Sequence, residues 1–423
     1  MLAIQDSEAG GRASDRTIKW VLRELFFEYH SLWMTQPEPS PAPPPTNSST
    51  HRRPIAPSPD RVFNSHQLHR DHSITFRLDA PNAKAVDLVS DITADVVPLT
   101  KGPDGLWTVT TSPLPPAVYS YAFSVDGVDQ SDPRNSMPKP SLILGASMVL
   151  IPATPAKPWE PVDVPHGAVH SHIYTTTIVE GLPADQSRYI VYTPPGYNAG
   201  AAQPYPVLYL LHGWSDAEIA WTQIGQAHLV LDALLAAGSA KPMVVVMPLG
   251  YGQMSFVEAG IDVWQNPAAI TASIMRFQRA LLNEVLPQVE SNYNVRRDRE
   301  GRAITGLSMG GLQSLLVGLN HPDKFAWIGA FSSALSFLDD RRTEQLFPSL
   351  TSPTTNTGSL TPRLVWICCG REDPLLPSNR SFIAWLKQRG VALTSVETAG
   401  GHTWLEWRNN FVQLAPLLFA SDE

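Results

Sequence analysis

Cysteine is almost absent: the 423-residue chain has two, Cys368 and Cys369, side by side. Neighbouring residues on a strand point to opposite faces, so a bond between these two would be strained. A disulfide framework is therefore excluded, and the redox compartment stays open. Long apolar runs are missing as well. No stretch approaches the roughly 20 apolar residues that span a bilayer, which leaves no transmembrane segment in the sequence. Basic charge is in short supply: 31 Lys plus Arg stand against 39 Asp plus Glu, a formal charge of −8. A mildly acidic chain without basic runs interleaved with aromatics does not suit a polyanion, so nucleic acid is not an expected partner. What is present is a 43% share of hydrophobic residues, enough for a sizeable core, over a length that suits two or three domains.

Proline punctuates the chain. Ile18 to Trp33 carries apolar residues at 18, 21, 22, 25, 26, 29, 32 and 33, which is helical spacing. Lys19, Arg23, Glu24 and Glu28 interrupt it, so it does not read as a signal-peptide core. It reads as a leader, with Met34 an alternative start, or as an amphipathic helix lying on the protein or on a membrane. Pro37 to Pro59 is dominated by Pro, Ser, Thr and Asn, which cannot bury enough apolar surface to offset the entropy of ordering. Residues 1–58 are thus expected to form a largely disordered leader and linker.

Residues 59–153 read as a small β-sandwich. Ser73–Leu78, Ala85–Val89, Leu106–Thr111 and Val118–Val125 are short strand patterns, separated by Gly102-Pro103-Asp104-Gly105 and Pro115-Pro116. Asp126-Gly127 signals a hairpin. Pro152 to Pro161 is a second Pro-rich linker. In residues 154–423 the pattern changes. Tyr189–Tyr192, Val207–Leu211, Met243–Met247, Ala303–Thr305 and Leu364–Cys368 are strand-like, several of them continuous apolar runs of the kind buried on both faces. Helical patterns at Leu229–Ala237, Ile270–Val289, Leu312–Leu319 and Ser381–Gln388 alternate with them. That order predicts an α/β fold with a mostly parallel sheet and helices on both sides. Its chemistry belongs at the carboxyl ends of the strands.

Gly306-Leu307-Ser308-Met309-Gly310 matches G-x-S-x-G. It follows the strand-like Ala303–Thr305 and precedes the helical Leu312–Leu319, the strand-to-helix setting of a nucleophile elbow. The turn is sharp, and Gly306 and Gly310 remove bulk beside it. A serine hydroxyl needs a base. Of the twelve histidines, His402 alone lies well downstream in a flexible loop, after the short strand Leu393–Glu397 and behind Gly400-Gly401; His321 follows too closely. The acid is expected after the preceding strand, where Glu372 and Asp373 are both in reach. Asp373 is favoured because Pro374 fixes the turn and a short side chain suits a tight loop. An oxyanion hole takes the Met309 N–H and a second donor after Val207–Leu211, where Trp214 is preferred to Gly213. Trp214, Tyr251, Trp264 and Trp404 are candidates to stack a substrate ring. His166, His170 and His172 lack a carboxylate or cysteine at metal spacing, so polar packing is expected and no metal or other cofactor.

Leu210-Leu211-His212-Gly213, Val246-Met247-Pro248, Gly306-Leu307-Ser308-Met309-Gly310-Gly311 and Gly400-Gly401-His402-Thr403-Trp404 together resemble the putative-esterase family. That family includes carbohydrate esterase family 1, with feruloyl and acetylxylan esterases, and the enterochelin esterases. The resemblance covers about Val164 to Phe419. It implies an α/β-hydrolase fold and carries the nucleophile to Ser308, the base to His402 and the acid to Asp373. The preceding module resembles the early-set, immunoglobulin-like domain akin to family-48 carbohydrate-binding modules, through Ala80-Pro81-Asn82-Ala83, Gly105-Leu106-Trp107, Tyr119-Ser120-Tyr121 and Val125-Asp126-Gly127. Ala117 stands where a glycine is usual. The resemblance implies hydrolysis of acyl or hydroxycinnamoyl esters of plant polysaccharide, with glycan contact through the module as a further expectation. Such a substrate implies a secreted or periplasmic protein. Acetylxylan esterase, siderophore esterase and acyltransferase are the alternatives; the loops after His212, Met247 and Ser308 are poor in the Lys and Arg that an anionic siderophore calls for. A glycan-binding protein without catalysis is a third class, and the intact Ser-His-Asp set argues against it.

Overall fold

The computed structural model describes residues 63–93, 95–143, 145–351 and 360–420. The Ile18–Trp33 helix and the Pro37–Pro59 linker expected from the sequence lie outside the described residues.

The first module holds β1 (His66–Leu68), β2 (Ile74–Asp79), β3 (Val86–Ser90), β4 (Val97–Pro98), β5 (Thr100–Lys101), β6 (Leu106–Thr110), β7 (Val118–Val125), β8 (Val128–Gln130), β9 (Pro138–Lys139) and β10 (Ala146–Leu150). They form two antiparallel sheets, β1-β2-β6-β5 and β4-β3-β7-β10-β9, with β8 paired to β7. Alternate residues point inward. Ile74, Phe76 and Leu78 of one sheet meet Leu88, Tyr121 and Phe123 of the other in one core. Asp126 and Gly127 both have positive φ, 52° and 86°, and Val125 pairs Val128 across them. Two left-handed residues are what a type I′ hairpin turn requires, as the Asp-Gly signal anticipated.

The second module is an α/β sandwich around an eight-stranded sheet of β11 (Ala168–Thr175), β12 (Gln186–Thr193), β13 (Val207–Leu211), β14 (Val244–Pro248), β15 (Arg302–Gly306), β16 (Trp327–Phe331), β17 (Leu364–Gly370) and β18 (Thr394–Thr398). Their spatial order is 11-12-14-13-15-16-17-18. β12 pairs antiparallel with both β11 and β14, and every other pairing is parallel. β13 shows why its apolar run is continuous. Val207, Tyr209 and Leu211 enter one core with Ile270, Phe277 and Leu312, while Leu208 and Leu210 enter the other with Val230, Leu231 and Phe411.

The helical expectation at Ile270–Val289 is one long element, Pro267–Ala280, a π-turn over Leu281–Val285, and Leu286–Asn292. Asn266 caps its start by accepting the Ala269 N–H. Pro287 has no N–H and its ring crowds the preceding turn, which accounts for the widening there. Among the elements that went unread are β10, β16, the helix Asp340–Leu346, and the helix Trp404–Leu414 that directly follows the candidate base.

The two modules share a core. Val118 and Met148 of the sandwich pack in the same cluster as Trp404, Trp407 and Phe411. Arg408 is fully buried between them; its Nε–H donates to Ile224 O at 3.0 Å and an Nη2–H to Val118 O at 3.1 Å. Burial pushes its pKa down to about 10. The expected second linker is packed rather than loose: Trp159 joins that core, and Glu160 accepts N–H bonds from Ala153 and Lys157.

Candidate active site

β15 ends at Gly306 and a helix begins at Met309. Between them Ser308 adopts φ 52° and ψ −112°, a strained conformation for a residue with a side chain. Backbone bonds hold it there: Ser308 N–H donates to Phe331 O at 2.8 Å, and Ala334 N–H to Ser308 O at 3.0 Å. The flanking glycines are needed for space. A Cβ on Gly306 would lie 2.7 Å from the Gly310 carbonyl, and one on Gly310 would lie 2.6 Å from the carbonyl oxygens of both Leu211 and His212. Met309 opens the helix, so its N–H has no acceptor one turn back within it.

His402 sits on the loop after β18. Its Nδ1 is 2.9 Å from Asp373 Oδ2, and both side chains are fully buried. An ionised Asp373 accepts, so Nδ1 carries the proton and Nε2 keeps its lone pair. Among the described residues Nε2 is buried without a hydrogen-bond partner. The Trp407 ring stands edge-on to the imidazole at 4.8 Å. Burial alone would raise the Asp373 pKa. The charge and hydrogen bond of His402 and the Leu375 N–H on Oδ1 outweigh it and hold the carboxyl below its usual range. Glu372, the other acid in reach, turns away and accepts the Gly400 N–H at 2.5 Å. The loops that carry Asp373 and His402 touch: a Cβ on Gly370 would lie 2.0 Å from Gly400 O. Gly400 itself has φ +99°, open to glycine at little cost.

The loop after β13 closes over the serine. A Cβ on Gly213 would be 3.6 Å from Ser308 Cβ. His212 was not read as functional, yet it shapes this loop. Gly250 N–H donates to its Nε2 at 2.8 Å, so Nδ1 carries the proton and donates to Gly213 O at 2.7 Å. Asp216 N–H reaches the same oxygen at 3.3 Å. In a trans peptide the Trp214 N–H points opposite to that carbonyl. Burial holds the His212 pKa down at about 4, so the ring stays neutral. Asp216 is also buried here. Burial pushes its pKa up to about 7, against the pull of Lys139, the Gly213 backbone and His402. The signal for His212 was its place, immediately after a buried strand; Asp216 had none.

Of the four candidate stacking rings the structure keeps one accessible. Tyr251 has no exposed surface; its hydroxyl donates to Asp216 O and its ring packs on His212. Trp404 is 3% exposed and wedged edge-on between Trp221 and Trp407. Trp214 is 7% exposed, with its indole N–H on Phe256 O. These three belong to the two buried cores that flank the sheet. Trp264 is half-buried beside Phe256, Ala334 and Leu375, and Ala334 N–H is bonded to Ser308 O. His166 bonds Asp232, and His172 bonds Tyr293, against which His170 also packs. In the first module Phe76, Trp107, Tyr119, Tyr121 and Phe123 are all buried, and Phe63 is partly covered by Arg134. Among the described residues no helix is long and apolar enough to cross a membrane.

Comparison with known proteins agrees with this architecture. The chain is 28% identical over 350 residues to an endo-1,4-β-xylanase/feruloyl esterase of Xylanibacter ruminicola, covering 81% of this chain and 44% of that protein. It is 30% identical over 151 residues to an acetyl esterase of Caldicellulosiruptor saccharolyticus, covering 30% of this chain and 57% of that one. The chain thus spans about half the length of these curated relatives. The fold matches an enterobactin esterase from Shigella flexneri with a TM-score of 0.60 at 19% identity, covering 82% of this chain and 92% of that one. It matches a family-1 ferulic acid esterase from Anaeromyces mucronatus with a TM-score of 0.52 at 22% identity, covering 62% and 93%. Residues 184–418, more than half of the chain, match the family described as Putative esterase, and the chain belongs to that family.

Proposed function

We propose that this protein hydrolyses carboxylic esters through an acyl-enzyme on Ser308. The reading is carried by one observation: a fully buried His402–Asp373 pair on the loops after β18 and β17, at the same sheet end as the strained Ser308. Ser308 Oγ attacks the ester carbonyl while His402 Nε2 takes its proton. The oxyanion is held by the N–H groups of Met309 and Trp214, with Gly213 letting the loop come close. His402 then protonates the departing alcohol, activates water, and the acyl group leaves as the acid. Asp373 holds the tautomer and stabilises the imidazolium.

For substrate we propose acyl or hydroxycinnamoyl esters on plant polysaccharide. The support is the extended similarity to a xylanase/feruloyl esterase and a half-buried indole, Trp264, packed on Ala334, whose N–H bonds Ser308 O. The rings of the first module named above are buried or partly covered, so the surface around Ser308 and Trp264, rather than the sandwich, is the part proposed to meet the glycan.

The test is a panel of p-nitrophenyl acetate, methyl ferulate and acetylated xylan with wild type and Ser308→Ala. Wild type cleaves and Ser308→Ala loses at least about 10³ in rate. A higher kcat/KM on methyl ferulate than on the acetyl esters supports the hydroxycinnamoyl reading, and the reverse ranking sinks it. Retained activity in Ser308→Ala removes the nucleophile.

A further inference from the structure

The loop that closes over Ser308 is pinned at each turn. Gly213 O takes two donors from its own module, His212 Nδ1–H and Asp216 N–H. Asp216 O takes the Tyr251 hydroxyl at 3.1 Å. Ser215 O is different: it takes donors from the other module. Leu142 N–H donates to it at 2.7 Å and Ser141 Oγ–H at 3.2 Å. Ser141 Oγ in turn accepts the Ile143 N–H at 3.2 Å, which aims the hydroxyl. Lys139, the last residue of β9, lies close enough for its charge to act on Asp216. Ser215 has φ +70°, a left-handed conformation that a serine keeps only when its surroundings impose it. It lies one residue from Trp214 and two from Gly213, which faces the nucleophile.

We propose that the β-sandwich is a positioning element for catalysis: Ser141 and the Leu142 N–H grip the Ser215 carbonyl and so hold the oxyanion loop at the height of Ser308. The sandwich is then part of the catalytic unit. The shared core and buried Arg408 bring the two modules together, and the 141–142 contact transmits that docking to the site. The inference rests on reading the Trp214 N–H as an oxyanion donor. Misplacing such a donor by a fraction of an ångström weakens it in the transition state while ground-state binding is little changed.

The experiment uses the full chain. Leu142→Pro removes the N–H donor, Leu142→Ala keeps it, and Ser141→Ala removes the hydroxyl. Folded protein is counted by cooperative thermal unfolding, and kcat and KM are measured on p-nitrophenyl acetate beside Ser308→Ala. Leu142→Pro is expected to lose about 10- to 100-fold in kcat with KM within about threefold, and Ser141→Ala to lose about three- to fivefold. Leu142→Ala should exceed Leu142→Pro by at least about fivefold in kcat. A lowered unfolding temperature with kcat per folded molecule unchanged in both Leu142→Pro and Ser141→Ala overturns the proposal, as does a change confined to KM. If Leu142→Pro does not fold, the kcat of Ser141→Ala decides alone. Wild-type activity in Ser308→Ala would instead remove the acyl-enzyme reading beneath it.

Discussion

Asp373→Asn, compared with Glu372→Gln, tests the assignment of roles most directly. Asp373 Oδ2 is 2.9 Å from His402 Nδ1 with both side chains dry. An asparagine keeps the size but replaces one acceptor oxygen by an NH₂ donor. If that NH₂ faces Nδ1, the imidazole proton is forced to Nε2, the nitrogen that has to accept from Ser308. If the carbonyl faces Nδ1 instead, the geometry survives and the imidazolium loses its counter-charge in a pair shielded from solvent. Either way the transition state loses a charge-assisted bond in a low-dielectric setting. The expected cost is about 10³–10⁴ in kcat/KM, or about 4–5.5 kcal/mol. Among the described residues the Glu372 carboxylate accepts the Gly400 N–H, and glutamine can still accept it, so Glu372→Gln should lose less than about tenfold. Stability gives a second readout. The folded Asp373 pKa lies below 3.8, so its ionic contribution is complete above that pH and is lost as pH falls through the folded value. Asp373→Asn should therefore flatten the acid end of a stability profile. Steady-state kinetics and urea unfolding between pH 3 and 8 measure both. A Glu372→Gln variant that collapses while Asp373→Asn stays within tenfold of wild type would refute the reasoning.

Three further outcomes follow from the geometry. Gly310→Ala puts a methyl 2.6 Å from two backbone oxygens of the neighbouring loop, which cannot retreat without moving β13; a cost of about 3 kcal/mol is expected by chemical denaturation, and wild-type stability would show that the elbow is not close-packed. Asp216→Asn addresses a buried carboxyl whose pKa is raised to about 7. Wild-type stability should fall as pH rises from about 4 to 7, because the folded state holds the proton longer. The asparagine should match wild type near pH 4 and exceed it at pH 8 by at most about 4 kcal/mol, and parallel pH profiles would contradict this. Trp264→Ala should raise KM for methyl ferulate by about two- to tenfold, in line with one lost aromatic contact, with a smaller effect on p-nitrophenyl acetate; equal effects on the two esters would remove the stacking role.

The sequence by itself determined what is local in the chain. G-x-S-x-G between an apolar run and a helical pattern marked the Ser308 turn, because a sharp strand-to-helix reversal admits few residues. The continuous runs Val207–Leu211 and Met243–Met247 announced strands buried on both faces, and Asp126-Gly127 announced its hairpin through two left-handed residues. β16 escaped notice since Gly329 and Ala330 carry little of the strand pattern. The Trp404–Leu414 helix escaped because a loop was expected around the base. Only the tertiary structure shows which of the neighbours Asp373 and Glu372 bonds His402, because their carboxyl directions depend on how the β17 loop meets Gly400. It also withdrew Tyr251 and Trp404 from stacking: a ring's exposure is set by the elements folded over it, and no residue type encodes that. The bond from Gly250 N–H to His212 exists only once the loops after β13 and β14 meet, and the reach of Ser141 and Leu142 to Ser215 O across more than seventy residues of chain exists only after the two modules dock, since a hydrogen bond between distant segments leaves no mark on the pattern of either.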